Sequence, residues 1–396
     1  MFSGQMVGRR TDTFQAVRIA WSGGQITGIE SVGSSEVVEE FPWISPGLID
    51  LQINGCQGLA FNDPGLTGAQ VETVSRALAA WGVTCYCPTL TTDSFAVLSH
   101  ALRTLASAIR ESRAVAARVG GVHVEGPYIC AEDGPRGAHP RQHVRPPDWD
   151  EFCRLQDAAE GHIRILTLSP EYSGADVFIS RVADSGVVVA IGHTQADSDQ
   201  LRAAVDAGAR MSTHLGNGAH ATLRRHPNYL WDQLAEDGLT ASLIVDGHHL
   251  PPAVVKTFLR AKTPDRCILV SDVTAMAGLA PGRYETAGLG AVDVLEDGRL
   301  VIAGQQQLLA GASLPIGAGI ANLVRFTEQG LGTAVAMATS RPAAILGQAA
   351  GRLEVGAPAD LVQFRLPEPG ARGPAGDLQI QATVQGGERV WSASAS

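Results

Sequence analysis

The chain has 396 residues, a hydrophobic fraction of 45% and a formal net charge of −10. A chain of this length and composition buries a large core, which excludes intrinsic disorder and favours one large domain with a smaller one. The negative net charge and the charged fraction of only 18% do not favour nucleic acid or an anionic membrane surface as a partner. An anionic substrate would therefore need a local basic pocket.

The N-terminus and the cysteines indicate the cellular compartment. Residues 1–21 lack the uninterrupted apolar segment of a signal peptide, and no later run approaches the roughly 18 apolar residues of a membrane span. The six cysteines form no C-x-x-C pair, so the sequence indicates neither a disulfide framework nor a structural zinc site. We expect a soluble, cytoplasmic protein with reduced thiols.

The two ends of the chain share a β-pattern. Residues 1–45 contain short β-runs separated by turns, such as Val17–Trp21, and show no helical period. Residues 351–396 repeat this pattern, for example in Asp360–Phe364. We therefore predict a small β-sandwich domain built from both termini, with residues 46–350 forming the other domain.

Within this larger domain, strand-like apolar runs alternate with helix-like segments, which is the pattern of parallel βα units. One helix is indicated by a counted period, because Leu98, Leu102, Leu105 and Ile109 stand at i, i+4, i+7 and i+11. Polar residues follow each of the apolar runs Leu48–Ile53, Val83–Cys87, Val119–Val124, Ile163–Leu168, Val187–Ile191, Met211–Thr213, Ala241–Val245 and Ile268–Val270. Eight such units predict a (β/α)8 barrel with its active site on the C-terminal face. A β-hairpin insertion is predicted within 282–305.

Three polar residues at strand ends suit a divalent metal. Glu125, His193 and His214 follow the third, fifth and sixth apolar runs, so a barrel would bring them to one point. Imidazole and carboxylate ligands with one open coordination position are typical of metal-dependent hydrolases. A single histidine at a strand end is weak evidence, because a structural histidine is the commoner case. Three consistent positions predict a metal site.

Asp272 ends the eighth apolar run. In a barrel it would face a metal-activated water, where a carboxylate takes a proton and returns it to the departing amine. The alternative is that Asp272 caps a following helix, a role that aspartate fills well. The strand-end position favours the general base.

Several short segments between residues 45 and 362 form a recognisable pattern. They are SPGLID at 45–50, GVHVEGP at 121–127, GHT at 192–194, THL at 213–215, DGHH at 246–249, SD at 271–272, GASLP at 311–315 and GAPADLV at 356–362. With these segments the chain resembles the amidohydrolase superfamily and, within it, the N-acetylglucosamine-6-phosphate deacetylase family. SPGLID and ADLV mark only the superfamily, whereas the Glu-Gly-Pro and Gly-Ala-Ser-Leu elements are more specific to the deacetylases.

The resemblance implies a reaction, a metal and a set of site residues. It implies that a divalent metal is held by Glu125, His193 and His214, that Asp272 is the acid/base, and that His139 polarises the amide carbonyl of an amino-sugar substrate. Substrate and phosphate contacts are implied for Asn217, the backbone amide of Gly218, Arg225, His249 and Ala310. In the family the arginine comes from the neighbouring subunit, so a homodimer is implied.

Two departures from the family pattern carry chemical information. Many superfamily members have H-x-H at the end of strand one, but this chain has Gln52-Ile53-Asn54. Carboxamides are weak ligands for zinc-like metals, so we expect one metal ion, with zinc the best match to the ligand types. The usual Asn-Ala-Met after the strand-six histidine has become Asn217-Gly218-Ala219, within a loop at 216–228 that differs from the family.

The altered loop at 216–228 allows more than one function. The alternatives are a different N-acyl amino sugar, phosphorylated or not, another amide, and a metal-binding barrel that has lost catalysis. The retained Asp272 disfavours the last of these. His123, two residues before Glu125, is expected to be an interior residue and not a ligand.

Overall fold

The computed structural model describes residues 2–32, 41–286, 290–304 and 309–394. Its strands are β1 (Ser3–Arg10), β2 (Ala16–Ser22), β3 (Gln25–Ser31), β4 (Trp43–Pro46), β5 (Leu48–Ile53), β6 (Gly55–Cys56), β7 (Leu59–Ala60), β8 (Val83–Thr91), β9 (Val122–Glu125), β10 (Ile163–Leu168), β11 (Val188–Ile191), β12 (Met211–Ser212), β13 (Thr240–Leu243), β14 (Cys267–Leu269), β15 (Gly282–Thr286), β16 (Gly290–Val294), β17 (Leu300–Ile302), β18 (Leu361–Arg365), β19 (Gln379–Gln385) and β20 (Glu388–Ser392).

The α-helices are α1 (Gly68–Ala77), α2 (Phe95–Glu111), α3 (Arg113–Ala116), α4 (Trp149–Ala158), α5 (Ala175–Asp184), α6 (Ser198–Asp206), α7 (Tyr229–Ala235), α8 (Pro252–Lys262), α9 (Ile316–Phe326), α10 (Leu331–Ala336) and α11 (Ser340–Ile345). Short 3-10 helices span Leu78–Trp81, Arg141–His143, Pro264–Arg266 and Gly373–Gly376. Among the described residues, no helix is long and apolar enough to cross a membrane.

The central sheet is a parallel barrel. Its strands follow the order β5, β8, β9, β10, β11, β12, β13 and β14, and every neighbouring pair is parallel. A parallel bridge between Ile53 and Val273 brings the ends of the first and last strands together. Each predicted apolar run overlaps one of these strands, so the predicted (β/α)8 barrel is confirmed.

Two apolar cores hold the barrel together. The larger lies between the strands and the helices, where α2 buries Leu98, Leu102 and Leu105, as its period predicts. The side chain of Ser94 caps this helix by accepting a hydrogen bond from the Val97 amide (3.3 Å). The second core fills the barrel interior with Ile49, Leu51, Cys87, Ile165, Ala190, Met211, Ile244, Ile268 and Val270.

The chain ends form a single seven-stranded sheet in the order β20, β19, β18, β4, β1, β2 and β3. The two ends of this sheet come into contact, as shown by the Trp21 indole on β2, which donates to the carbonyl of Gly387 in the β19–β20 turn (2.8 Å). Side chains from both wings meet between the layers, namely Met6, Val17, Ile19, Trp21, Ile26, Ile44, Leu361, Ala382 and Val384. The predicted sandwich is therefore present, and its two layers are halves of one continuous sheet.

The predicted hairpin within 282–305 is the pair β16 and β17, which are antiparallel. A further strand, β15, pairs with β16, so the insertion is a three-stranded sheet. Its apolar residues Val292, Val294 and Leu300 pack with Met276 and Ala310 into a small separate cluster.

Candidate active site

Three side chains converge at the C-terminal end of the barrel. One oxygen of Glu125, Oε1, lies 2.9 Å from Nε2 of His193 and 2.9 Å from Nε2 of His214, and the two imidazole nitrogens are 3.1 Å apart. All three side chains are buried. Their ligand atoms lie within 4.8 Å of one another, a spacing that could hold a metal ion. The sequence predicted this set.

The backbone turns sharply at these strand ends. His193, His214 and Asp272 have φ values of 52°, 27° and 53°, in the left-handed region that non-glycine residues rarely adopt. Strained conformations of this kind persist only where the surrounding structure fixes them, and they concentrate at functional sites. The turn at each position points a polar side chain across the mouth of the barrel.

The cluster fits a cation. The carbonyl of Pro135 accepts a hydrogen bond from Nδ1 of His193 (2.8 Å), so the ring can offer the lone pair of Nε2 to a metal ion. That lone pair faces a carboxylate oxygen. Burial alone would raise the pKa of Glu125, but positive charge on the side of His193 and His214 holds this pKa well below its usual range, and a bound cation would supply that charge. Converging lone pairs on an ionised carboxylate and two imidazoles are the donor set of a divalent metal.

The carboxamides at the end of β5 hold the two carboxylates of the site. Gln52 Nε2 donates to Oε2 of Glu125 (3.0 Å), and Asn54 Nδ2 donates to Oδ1 of Asp272 (2.8 Å). The sequence singled these residues out only as poor metal ligands. Their structural role is to leave Oε1 of Glu125 and Oδ2 of Asp272 for other partners.

Asp272 lies beside the cluster and is buried. Burial, followed by repulsion from Glu125, raises its pKa to about 6. A carboxyl group with this pKa can gain and lose a proton near neutral pH, as general acid–base catalysis requires. Its φ of 53° and its place directly after Ser271 put it in a strand-end turn, and not at the N-cap of a described helix.

His139 lies at the same site, with Nε2 3.9 Å from Oε1 of Glu125. The backbone amide of Thr92 points at its Nδ1 (3.3 Å), and the Thr92 hydroxyl lies 2.8 Å from the same atom. Because an amide only donates, Nδ1 is an acceptor and the hydrogen is on Nε2. Burial and the neighbouring His193 lower the pKa of His139 to about 3, so this ring is a neutral Nε2–H donor facing the cluster.

Two loops pack against the outer side of His193. A Cβ added to Gly218 would lie 2.7 Å from Nδ1 of His193 and 3.2 Å from the Pro135 carbonyl oxygen. A Cβ on Gly137 would lie 3.3 Å from Cε1 of the same ring. The loops after β9 and β12 therefore approach closely only because glycine occupies both positions. The altered loop at 216–228 thus contacts a residue of the cluster.

Two of the predicted substrate-binding residues, Asn217 and His249, are held in place by hydrogen bonds. Asn217 is half-buried and its Nδ2 donates to the carbonyl of His214 (3.1 Å). Nδ1 of His249 lies 2.7 Å from Oδ2 of Asp246. Burial would raise the pKa of Asp246, but the hydrogen bonds from His249 and two backbone amides lower it to about 2. This carboxylate fixes the His249 ring, which is near enough to Asp272 to act in the lowering direction on the pKa of that carboxyl group.

Two other predicted residues are not brought to the cluster by any contact within the described residues. Arg225 is exposed, and in the part of the chain that the structure describes its one hydrogen bond is accepted by its backbone carbonyl, from Asn228 (3.4 Å). Ala310 is buried in the small core of the three-stranded sheet, and its amide donates to the Leu300 carbonyl (2.8 Å).

His123 is an interior residue, as expected, with Nδ1 3.1 Å from the Leu51 carbonyl and Nε2 2.7 Å from Oγ1 of Thr167. No sequence pattern indicated Thr92 and Pro135 as partners of the site histidines. Both lie on connections outside the barrel strands, where no periodicity places a residue.

Comparison with known proteins agrees with this geometry. Residues 43–390 match the Amidohydrolase family. An N-acetylglucosamine-6-phosphate deacetylase of Homo sapiens is 33% identical over 368 residues, which is 89% of this chain and 84% of the relative. An N-acetylgalactosamine-6-phosphate deacetylase of Shewanella is 31% identical, covering 81% of this chain and 80% of the relative.

A solved structure is also similar. It is a mutant of N-acetyl-D-glucosamine-6-phosphate deacetylase from Mycobacterium smegmatis in complex with N-acetyl-D-glucosamine-6-phosphate, with a TM-score of 0.83 and 27% identity, covering 98% of this chain and 99% of that chain. The chain therefore belongs to the N-acetylglucosamine-6-phosphate deacetylases of the amidohydrolase family, which are hydrolases that act on a linear amide bond.

Proposed function

We propose that this chain hydrolyses the acetamide of N-acetylglucosamine 6-phosphate to glucosamine 6-phosphate and acetate, in the cytoplasm, as a homodimer with one zinc ion per chain. The observation that carries the proposal is the convergence of Glu125, His193 and His214 beside a buried Asp272 with a pKa near 6. The named activities of the relatives support the choice of substrate.

The proposed chemistry depends on the protons of two groups, the Asp272 carboxyl group and the His139 ring. A divalent metal held by Glu125, His193 and His214 would polarise the acetyl carbonyl and lower the pKa of water towards about 7. Asp272 takes a proton from the water while the water oxygen attacks the carbonyl carbon. The same carboxyl group then gives this proton to the amine nitrogen as the carbon–nitrogen bond breaks and acetate forms.

His139 stabilises the charge that develops on the carbonyl oxygen. Its Nε2–H is fixed by the Thr92 amide, and the ring is neutral, so it donates one hydrogen bond without first losing a proton. Preorganised donors of this kind act on the transition state more strongly than on the substrate.

The proposal of a single metal rests on β5. Gln52 and Asn54 stand where two imidazoles would be needed for a second ion, and both donate hydrogen bonds to carboxylates of the site. Elemental analysis of protein purified without added metal should find one equivalent per chain. Two equivalents that both resist mild chelation would contradict the single-metal site.

A 6-phosphate would be bound by Asn217, the Gly218 amide, His249 and Arg225 of the neighbouring subunit. Arg225 is exposed on its own subunit, as a residue lent across an interface would be in an isolated chain. A dianion held by charge-assisted hydrogen bonds contributes strongly to affinity, and a sugar without it leaves these groups unpaired.

The experiment compares acetate release from N-acetylglucosamine 6-phosphate, N-acetylgalactosamine 6-phosphate and free N-acetylglucosamine. The first should have the highest kcat/KM. Arg225→Ala should raise KM for the phosphorylated sugar and narrow its advantage over the free one. Arg224→Ala, which removes the adjacent exposed arginine, is the matched control and should leave the ratio unchanged.

The alternative is an amidohydrolase that acts on a different N-acyl amino sugar or other amide, because the loop at 216–228 departs from the family pattern. Equal kcat/KM for phosphorylated and free sugars, or activity only on a non-phosphorylated N-acyl compound, would establish this alternative. Sedimentation of the purified protein as a monomer would separately contradict the homodimer and with it the shared Arg225.

A further inference from the structure

A chain of hydrogen bonds crosses the barrel interior close to the metal cluster. Nδ1 of His123 lies 3.1 Å from the Leu51 carbonyl, and its Nε2 lies 2.7 Å from Oγ1 of Thr167. Oγ1 of Thr167 is in turn 2.7 Å from Oγ1 of Thr213. All three side chains are buried. The chain links strands β5, β9 and β10 with the residue that follows β12.

Each hydrogen bond in this chain has a defined direction. The Leu51 carbonyl only accepts, so Nδ1 of the buried, neutral His123 carries the hydrogen and Nε2 accepts from the Thr167 hydroxyl. Having donated to His123, the oxygen of Thr167 accepts from the hydroxyl of Thr213. One backbone carbonyl therefore orients all three polar side chains, and the loss of any link leaves a buried partner unpaired.

The contact between Thr167 and Thr213 depends on the absence of a side chain at Gly192. Strand β11 lies between β10 and β12 in the barrel, so these threonines come from non-adjacent strands. A Cβ added to Gly192, directly after β11, would lie 2.8 Å from Cβ of Thr213 and 2.9 Å from Cγ2 of Thr167. Distances below 3.0 Å are not tolerated by a real Cβ, so the two hydroxyls meet because residue 192 is glycine.

Two members of the hydrogen-bond chain, and Gly192 beside it, are sequence neighbours of the three metal-site residues. His123 stands two residues before Glu125, while Gly192 directly precedes His193 and Thr213 directly precedes His214. We propose that Thr167 and Gly192 are positioning residues, which fix the strand ends so that Glu125, His193 and His214 meet at one ion. This proposal rests on the metal site of the proposed function and extends it to residues that touch neither metal nor substrate.

Thr167→Val tests the proposal, because valine keeps the shape and removes the hydroxyl. The metal-free variant is titrated with Zn²⁺ against a chromophoric chelator, at a temperature where circular dichroism shows it to be folded. We expect zinc affinity to fall about tenfold, at the lower end of the loss seen when outer partners of metal ligands are removed. Thr167→Ser retains the hydroxyl and should bind zinc as the wild type does.

Thr383→Val is the matched control. Its hydroxyl is equally buried and donates to the Ala79 carbonyl (2.7 Å), on a strand of the terminal sheet. This variant should lose stability but keep its zinc affinity. If Thr167→Val does the same, the hydrogen-bond chain is only structural and the proposal is wrong. If Thr167→Val does not fold, Thr213→Val and Thr213→Ser provide the same comparison at the end of the chain.

Gly192→Ala gives an independent test, since it separates the threonines by steric pressure and removes no hydrogen-bonding group. It should also weaken zinc binding, and unchanged affinity would overturn the role of Gly192. Zinc binding is measured without substrate, so a failure of the positioning proposal can be told apart from a failure of the proposed reaction. Normal zinc affinity in the wild type without acetate release would refute the proposed reaction and leave the positioning proposal standing.

Discussion

Gly218→Ala offers a sharp test of how the altered loop is built, because it introduces the alanine of the family pattern at this position. Gly218 has φ +58°, where a Cβ costs about 1–2 kcal/mol. The new Cβ would also lie 2.7 Å from Nδ1 of His193 and 2.9 Å from its Cε1, and overpacking of this kind costs about 1–3 kcal/mol. The sum is about 2–5 kcal/mol, which the protein meets by moving the loop or His193.

Gly161→Ala separates these two contributions. Gly161 has φ +83° and no atom within 4 Å of an added Cβ, so this variant carries only the backbone cost. Urea unfolding should show a loss of about 1–2 kcal/mol for Gly161→Ala and a larger loss for Gly218→Ala. Zinc affinity should fall only in Gly218→Ala. A Gly218→Ala protein as stable as Gly161→Ala, with wild-type zinc affinity, would refute the close packing of the loop on His193.

Further predictions concern the proton carriers and a buried carboxyl group. Asp272→Asn should keep the fold and the metal but lower kcat by roughly 10²- to 10⁴-fold, because a carboxamide cannot carry the proton; near-normal turnover would place the base elsewhere. His139→Ala should lower kcat by about 10²-fold, and an unchanged rate would remove it from the oxyanion site. Burial raises the pKa of Asp50 to about 7, above the value near 3.9 of an unfolded chain, so its contribution to stability falls as pH rises from about 4 to about 7. The stability of Asp50→Asn relative to the wild type should therefore increase by a few kcal/mol across this window in urea unfolding, and parallel pH curves for the two proteins would contradict the raised pKa.

The parts of the fold that could be predicted are those with a counted pattern. An apolar run that ends in a polar residue marks both a barrel strand and a site position, which is how Glu125, His193, His214 and Asp272 were found. The apolar run Val83–Cys87 stops short of the end of β8 at Thr91, because Pro88 interrupts the apolar run without ending the strand. Proline lacks only the amide donor, and strand pairing continues beyond it.

The contacts within the site could not be predicted, because they depend on backbone turns that have no sequence period. The positive φ of His214 and Asp272 determines where these side chains point, yet histidine and aspartate adopt this conformation too rarely for the sequence to signal it. Likewise, the sequence indicated that Gln52 and Asn54 were poor ligands, but only the folded barrel shows which carboxylate each of them holds. The tautomer of His139 depends on a distant amide for the same reason.

The closure of the barrel between its first strand, β5, and its last, β14, affects the order in which the site is completed during synthesis. Asn54 and Asp272 are separated by 218 residues, and Ser271 and Asp50 by 221, yet their hydrogen bonds join the first strand to the last. The three metal-site residues all precede residue 215 and can leave the ribosome well before Asp272. In the proposed mechanism, the three residues that would hold the metal are therefore synthesised before the carboxyl group that would move the proton, and hydrolysis would begin only when the final strand closes the ring.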